Sequence, residues 1–388
     1  MSSLPRLRLK KDLARHLRAG HPWIWRDALA PASLATGSIV DVHGPGGGFV
    51  ARGLYDARSP IAVRVLALDP AVAVDESLVR ARVSEALAAR RGAFDPDDTD
   101  AFRLVNGEGD FLPGVVVDVY ARVAVVRLDG EAPRALLPWV VEAVRETTAP
   151  LGVATVYERS RGGAGGLLAG DPPPVPVEIR ECGVRFAVDV VHGQKTGGFL
   201  DQRDNRRAIR PFSDGEAVVN LFSYTGGFSV HAALAGAARV TSVDSAPAAL
   251  DGARANFALN GLDPARHDFV CADAFRWIDE QRDRLRAGLV IVDPPSFAPS
   301  EKSLAHALAA YRELFAGALA LVAPGGVLAA SSCSSHVDLE TFLGVLRDAS
   351  AKARRPLRVL EARGQPPDHP TPPAFKEGRY LKFVLCRA

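Results

Sequence analysis

From about residue 215 onward, short apolar runs alternate with longer segments in which apolar positions recur every three or four residues. The runs Ala217–Phe222, Arg239–Asp244, Asp268–Asp273, Leu289–Asp293, Val327–Ser332, Leu357–Glu361 and Tyr380–Cys386 read as strands. Between the fourth and fifth, Leu308, Tyr311, Phe315, Ala318 and Val322 are spaced 3, 4, 3 and 4 apart, as one face of a helix requires. Leu250, Ala253 and Phe257 share a face of another helix, which starts at Pro247 and stops at Asn260-Gly261. Regular strand–helix alternation predicts a doubly wound, mainly parallel sheet with helices on both faces.

The first half of the chain has a different rhythm. Short alternating runs at 38–42, 48–55 and 61–66, separated by Gly and Pro, predict a small β domain ending near residue 72. A helical pattern over Asp75–Gly92, a hairpin over Phe102–Leu128, a helix over Leu136–Thr147 and a strand over Ala154–Tyr157 predict an α+β domain. Residues 162–176, dense in Gly and Pro, read as a loop. The expected organisation is three domains, 1–72, 73–190 and 191–388. Leu314–Val337 carries no charged residue and approaches the length of a bilayer span, but Pro324-Gly325-Gly326 divides it into a helix, a turn and a buried strand.

Composition agrees with a globular protein: 388 residues, 47% apolar, 24% charged, net charge +2. That near-neutrality conceals a local excess, because Arg6, Arg8, Lys10, Lys11, Arg15, Arg18 and Arg26 face only Asp12 within the first 26 residues. Such an arm suits contact with nucleic-acid phosphates or, equally, a solvated helix face. Cys182, Cys271, Cys333 and Cys386 include no C-x-x-C pair, so neither a structural zinc site nor a disulfide framework is expected. The basic start lacks the apolar core of an export signal, and a reducing cytoplasm is the expected location.

Candidate chemistry gathers at the carboxyl ends of the predicted strands. The first runs into Asn220-Leu-Phe-Ser-Tyr-Thr-Gly226-Gly227, a glycine turn entering a helix. Asp244, Asp273 and Asp293 close the next three strands, and Asp244 stands near the spacing at which an acid meets ribose hydroxyls. A tight turn with no ligand is the plainer alternative, though three strand-end acids weigh against it. The dehydrogenase pattern G-x-G-x-x-G and the P-loop pattern are both missing. Asp293-Pro-Pro-Ser-Phe fixes a rigid turn suited to a planar base, with Phe297 available for stacking. Cys333, amid four serines at the fifth strand's exit, reads as a nucleophile rather than an apolar filler, whereas Cys271 and Cys386 read as fillers.

Several segments together resemble the PUA-domain, class I S-adenosylmethionine-dependent cytosine-5 methyltransferases of large-subunit (23S) ribosomal RNA. They are His21-Pro-Trp-Ile-Trp, the block His192–Arg206, Phe222-Ser-Tyr-Thr-Gly-Gly-Phe, Val243-Asp, Asp293-Pro-Pro, Ser332-Cys-Ser, Asp368-His-Pro and Tyr380-Leu-Lys. The resemblance covers nearly the whole chain. It implies an α/β fold in which an N-terminal PUA-like β domain and a central α+β domain precede a Rossmann-like, seven-stranded methyltransferase domain. It implies that S-adenosylmethionine is the methyl donor and ribosomal RNA the partner, with no metal and no membrane; a homodimer is left open. In this family's mechanism Cys333 would add to C6 of cytosine and Asp293 would hydrogen-bond the base at N3 and N4. Asp244 would hold the ribose, Asp273 the adenine edge, and Tyr224, Thr225, Gly226 and Gly227 the methionine part, with Asn220, Phe222, Ser223 and Asp293 around them. Lys195, Gln202 and Arg203 would close over the cofactor, their alternative being salt bridges between domains. Arg6, Arg8, Lys10, Lys11, Arg15, Arg18 and Phe297 would contact RNA.

One departure is Ser296, where related members often carry Lys after the two prolines. Two other functions stay open at this point: methylation of another RNA base, and an RNA-binding assembly factor that holds S-adenosylmethionine without turnover.

Overall fold

A computed structural model describes residues 4–160, 165–298 and 301–388. Its contacts fall into two units: Met1–Ile179 with Val188–Leu200 and Pro367–Gly378, and Arg180–Ala187 with Asp201–Pro366 and Arg379–Ala388.

The first unit contains two five-stranded sheets. One is ordered Arg6–Arg8, Ile39–His43, Phe49–Tyr55, Ile61–Ala67, Trp23–Trp25, and its core is built from residues such as Leu7, Leu17, Ile24, Val40 and Val63. The other runs in chain order, Ala101–Asn106, Val115–Tyr120, Val123–Leu128, Thr155–Glu158, Gly166–Ala169, and is packed by the helices Glu76–Ala89 and Leu137–Thr148. Two expectations change here. The segment 102–128, expected as a hairpin punctuated at Gly107–Asp110, has its 3₁₀ turn there but forms three strands, because a second turn at Ala121-Arg122, with Ala121 at φ +51°, divides the second arm. The stretch expected to be loop contains the strand Gly166–Ala169, antiparallel to Thr155–Glu158; positions 162–164 lie outside the described residues. A late segment is bound into this unit by a buried ion pair. Arg90 makes two 2.6 Å bonds to Asp110 and donates to the Asp368 carbonyl, while Asn106 donates to the Pro370 carbonyl.

The second unit is a seven-stranded sheet: β1 (Ala217–Leu221), β2 (Arg239–Asp244), β3 (Asp268–Cys271), β4 (Ala287–Val292), β5 (Val322–Ser332), β6 (Arg358–Arg363) and β7 (Lys382–Arg387). The order is β3-β2-β1-β4-β5-β7-β6, parallel except for β7. Helices α1 (Gly227–Leu234), α2 (Pro247–Leu259), α3 (Ala274–Gln281), α4 (Leu304–Leu321) and α5 (Leu339–Ala353) connect the strands. Leu289, Val290, Ile291 and Val292 are fully buried, a continuous apolar run because helices cover both faces of a parallel strand. Strand order reverses between β1 and β4, where the carboxyl ends of such sheets open into a ligand crevice. The expected turn at Pro324-Gly-Gly is instead a bulge within β5: Ala287 pairs with Val322 and Leu289 with Val327, with Gly325 at φ +75°. No helix among the described residues is long and apolar enough to cross a membrane.

A buried charge cluster lies behind this sheet. Glu181 takes two bonds from Arg206, at 2.8 and 2.6 Å, and its Oε1 is 3.4 Å from His231 Nε2. Arg210 Nε donates to His231 Nδ1 at 3.0 Å, which fixes the neutral tautomer protonated at Nε2. Burial holds the His231 pKa down to about 4. Burial pushes Glu181 upward, but Arg206 and His231 outweigh it and leave the carboxyl at about 2. Both folded pKa values lie below their unfolded ones, so stability is lost as pH falls. His231 takes up its proton in the unfolded chain first, between about pH 6.5 and 4, and Glu181 follows below about 4.5. We predict that the melting temperature falls steadily from pH 6.5 to 4 and that His231→Asn flattens this slope; an unchanged slope in the variant would contradict the assignment.

Candidate active site

The turn after β1 is strained. Phe222 (φ +60°), Tyr224 (φ +48°) and Gly226 (φ +77°) all adopt left-handed backbone, which costs a residue with a Cβ roughly 1–3 kcal/mol. Three hydrogen bonds hold the turn there. Ser223 N–H donates to the Val243 carbonyl at 3.0 Å, Tyr224 N–H to Asp244 Oδ2 at 2.8 Å, and Asn256 Nδ2 to the Thr225 carbonyl at 2.9 Å. Asp244 Oδ1 accepts from Ala246 N–H at 2.9 Å, and each carboxylate oxygen keeps a further lone pair for a ligand hydroxyl. Asn220 is buried under the turn, where its Nδ2 donates to Ser229 Oγ at 2.9 Å. Its Oδ1 and the Ser223 Oγ are buried with no hydrogen-bond partner in the structure. Unsatisfied polar atoms beneath a strained turn, beside a strand-end carboxylate, fit a polar ligand.

Asp273 departs from expectation. Strand β3 ends at Cys271, and Asp273 is the N-cap of α3, accepting from Arg276 N–H at 3.0 Å. Cys271 is exposed rather than packed, because β3 is an edge strand. Cys386 is fully buried, and burial raises its thiol pKa to about 11.

The ends of β4 and β5 form the second half of the site. Their register pairs Val292 with Ala330, so Asp293 follows on β4 where Ser331 follows on β5. Gln202 Nε2 bridges the two, donating to Asp293 Oδ1 at 2.9 Å and to Ser331 Oγ at 3.1 Å. Asn205 Nδ2 donates to the side-chain oxygen Gln202 Oε1 at 2.6 Å and so fixes the amide's orientation. Two residues beyond Ser331, Cys333 is half-exposed between Ser332 and Ser334, which are fully buried. Tyr311 of α4 accepts from Ser332 Oγ at 3.1 Å and shares a 2.9 Å bond with Ser334 Oγ, which also meets Ser296 Oγ at 3.0 Å. The Asp293–Ser296 turn and the Cys333 segment are thereby tied together. A half-exposed thiol and a carboxylate on adjacent strand ends, near a strained polar turn, can serve nucleophilic attack and group transfer.

A family model of S-adenosylmethionine-dependent methyltransferases matches residues 148–383, and one of PUA-like domains matches residues 7–68. The chain belongs to the S-adenosylmethionine-dependent methyltransferases. A protein of Deinococcus radiodurans named ribosomal RNA large subunit methyltransferase is 39% identical over 100% of this chain and 98% of its own length. Proteins of Shewanella denitrificans and Escherichia coli named ribosomal RNA large subunit methyltransferase I are each 35% identical over 98% of this chain and 99% of theirs. Among solved structures, a Streptococcus mutans S-adenosylmethionine-dependent methyltransferase overlays with TM-score 0.88 at 24% identity, covering 99% of this chain and 100% of its own. A methyltransferase solved with S-adenosylhomocysteine gives TM-score 0.89 at 24% identity, with the same coverage. These two overlays show the fold, and the family models give its order: a PUA-like domain ahead of the methyltransferase sheet.

In this methyltransferase the remaining expected residues are distributed as follows. Gln202 and Arg203 are almost wholly buried in the second unit, whereas Lys195 belongs to the first, its Nζ 4.3 Å from the Phe199 ring centroid. Phe297 is half-buried with its ring 4.8 Å from Tyr311, so part of its surface is committed to packing. Arg6, Arg8, Lys10, Lys11, Arg15 and Arg18 are all exposed. Arg8 and Lys10 reach the carbonyls of Pro45 and Asp27, and none of the ion pairs found among the described residues uses any of the six. No group of three or more potential metal ligands occurs among the described residues. Tyr311, Ser331, Ser334 and Lys382 carry no chemical role among the sequence expectations, although Tyr311 stands on a predicted helix face and Ser334 and Lys382 lie in segments that carry the family resemblance. A lysine inside the apolar run Tyr380–Cys386 was the available signal.

Asp244→Ala removes the acceptor for two turn N–H groups, each charge-assisted bond being worth about 1.5–3 kcal/mol. We predict S-adenosylmethionine affinity at least tenfold weaker by calorimetry, with the fold retained. Unaltered affinity would remove Asp244 from the site.

Proposed function

We propose that this methyltransferase transfers a methyl group to C5 of a cytosine in large-subunit ribosomal RNA, in the cytoplasm, through a covalent bond from Cys333 to C6. The observation that carries the proposal is half-exposed Cys333, set between buried Ser332 and Ser334, of which Ser334 bonds Ser296 in the turn that begins at Asp293. The names of the full-length relatives support ribosomal RNA as the substrate. S-adenosylmethionine supplies an electrophilic methyl group on a sulfonium. In this reading Asp244 and the turn 222–227 hold it from the ribose and methionine sides, with Asn220 beneath and Asp273 toward the adenine.

Cytosine C5 is a weak nucleophile, and the chain's residues must raise its electron density. The Cys333 thiolate adds to C6, breaking the C5–C6 double bond and leaving an electron pair conjugated into the ring at C5. Asp293 bonds the base at N3 and N4 where charge changes, and the Gln202 amide fixes the carboxylate's orientation. The C5 electron pair takes the methyl as the methyl–sulfur bond breaks and leaves a neutral thioether; C5 then loses its proton to water, the C5–C6 double bond re-forms and Cys333 leaves as thiolate. Ser296 bonds Ser334 and thereby aligns the two loops, where a lysine would offer a cation. Base flipping costs a few kcal/mol, which phosphate contacts from the six exposed cations of residues 6–18 offset.

Cys333→Ala is expected to lower methylation more than a thousandfold without changing S-adenosylmethionine affinity, and Asp293→Asn to lower it about a hundredfold or more. RNA with 5-fluorocytosine at the target is expected to trap a covalent complex through Cys333, since fluorine cannot leave as a proton does. Full activity in Cys333→Ala, or no adduct, would overturn the proposal.

A further inference from the structure

The reaction just described gives no task to the buried cation beside its nucleophile. Lys382 opens β7, and the antiparallel register of β5 and β7 sets it opposite Ser332, one residue before Cys333. It is 3% exposed. Its Nζ donates to the Ser334 carbonyl at 2.5 Å, one residue after Cys333, and to the Tyr380 carbonyl at 2.7 Å. Lys382 thus meets the chain on both sides of Cys333, its backbone opposite Ser332 and its ammonium on the Ser334 carbonyl. An ammonium has three donors, so one N–H is left after the two carbonyls. A cation this deep is penalised heavily unless an anion compensates.

Two further titratable groups, Asp338 and Tyr311, interact with Lys382 or Cys333. Burial depresses the lysine to about 8, and negative charge on Cys333 and on Asp338 opposes that shift. Asp338, the N-cap of α5, already accepts from Thr341 N–H at 2.8 Å. Tyr311 has its phenol pKa raised by burial and further by charge on Cys333.

We propose that Lys382 is a positioning residue that holds Cys333 as a thiolate, its ammonium serving as the sulfur's counter-charge and its bond to the Ser334 carbonyl fixing the sulfur's direction. The thiol proton passes to solvent and Lys382 keeps its own. The inference rests on the cysteine-adduct reading for its purpose, since a stabilised thiolate is both attacking and leaving group at C6. A lysine that only clamped two carbonyls would leave the thiol's acidity unchanged.

The test is the pH dependence of iodoacetamide alkylation of Cys333 in the full chain, followed peptide by peptide with mass spectrometry, with exposed Cys271 as internal reference. In the wild type the Cys333 midpoint is expected clearly below the ordinary thiol value of about 8.5. Lys382→Met is expected to raise it by at least one pH unit, cutting the rate at pH 7 about tenfold or more, and Lys382→Arg to restore it. A wild-type midpoint at or above about 8.5 overturns the proposal even if the Met variant does not fold. So does an unmoved midpoint in a folded Lys382→Met. A lowered midpoint that depends on Lys382, with methylation surviving Cys333→Ala, upholds the pair and removes only the adduct reading.

Discussion

The active end of this protein depends on the register of β4 against β5. Parallel pairing of Val292 with Ala330 brings Asp293 and Ser331 side by side as the two strands end, and only then can one amide, that of Gln202, bond both. A slip of one residue would exchange the faces of every side chain on the strand. Asp293 would turn away from Gln202, and buried Ser331 and Ser332 would lose their places. The apolar run Leu289–Val292, sealed by helices on both faces, makes such a slip prohibitive because it would drive polar atoms into the core. Packing of the sheet therefore sets the geometry of the chemistry.

Two kinds of rigidity meet at that edge. On the β1 side, strained backbone at Phe222 and Tyr224 is held by hydrogen bonds to Asp244 of β2 and from Asn256 of α2. On the β5 side, a polar network built around the Tyr311 hydroxyl ties Ser332, Ser334 and Ser296 together within a low-dielectric surrounding, where each bond is stronger and each missing partner costlier. Cys333 is the accessible position between two buried serines of that network. Preorganisation of this kind removes reorganisation from the reaction step itself.

Much of this was legible in the sequence because it is local. Apolar runs alternating with helical spacing foretold the sheet, and Asp244, Asp293 and Cys333 could be found as polar residues where such runs stop. What escaped was set by partners distant in the chain. Gln202 stands 91 residues from Asp293 and 129 from Ser331. The Lys382 bond to Ser334 spans 48 residues, and the Glu181–His231 pair is likewise non-local. Short-range errors came from competing local rules. Asp273 has the place of a strand-end acid in the sequence but serves as a helix cap, and Pro324-Gly-Gly has the composition of a turn but is absorbed as a bulge. Cys271 looked like a filler because its neighbours are apolar, yet the strand that carries it is an edge.

In the reaction proposed for this protein, the paired strand ends work on a cytosine. This is tested most directly by incubating the protein with isotopically labelled S-adenosylmethionine and large-subunit ribosomal RNA stripped of modification, then identifying the labelled nucleoside by mass spectrometry. Label is expected in 5-methylcytidine at a defined position. Label in a purine, or at a cytosine exocyclic nitrogen, would contradict it.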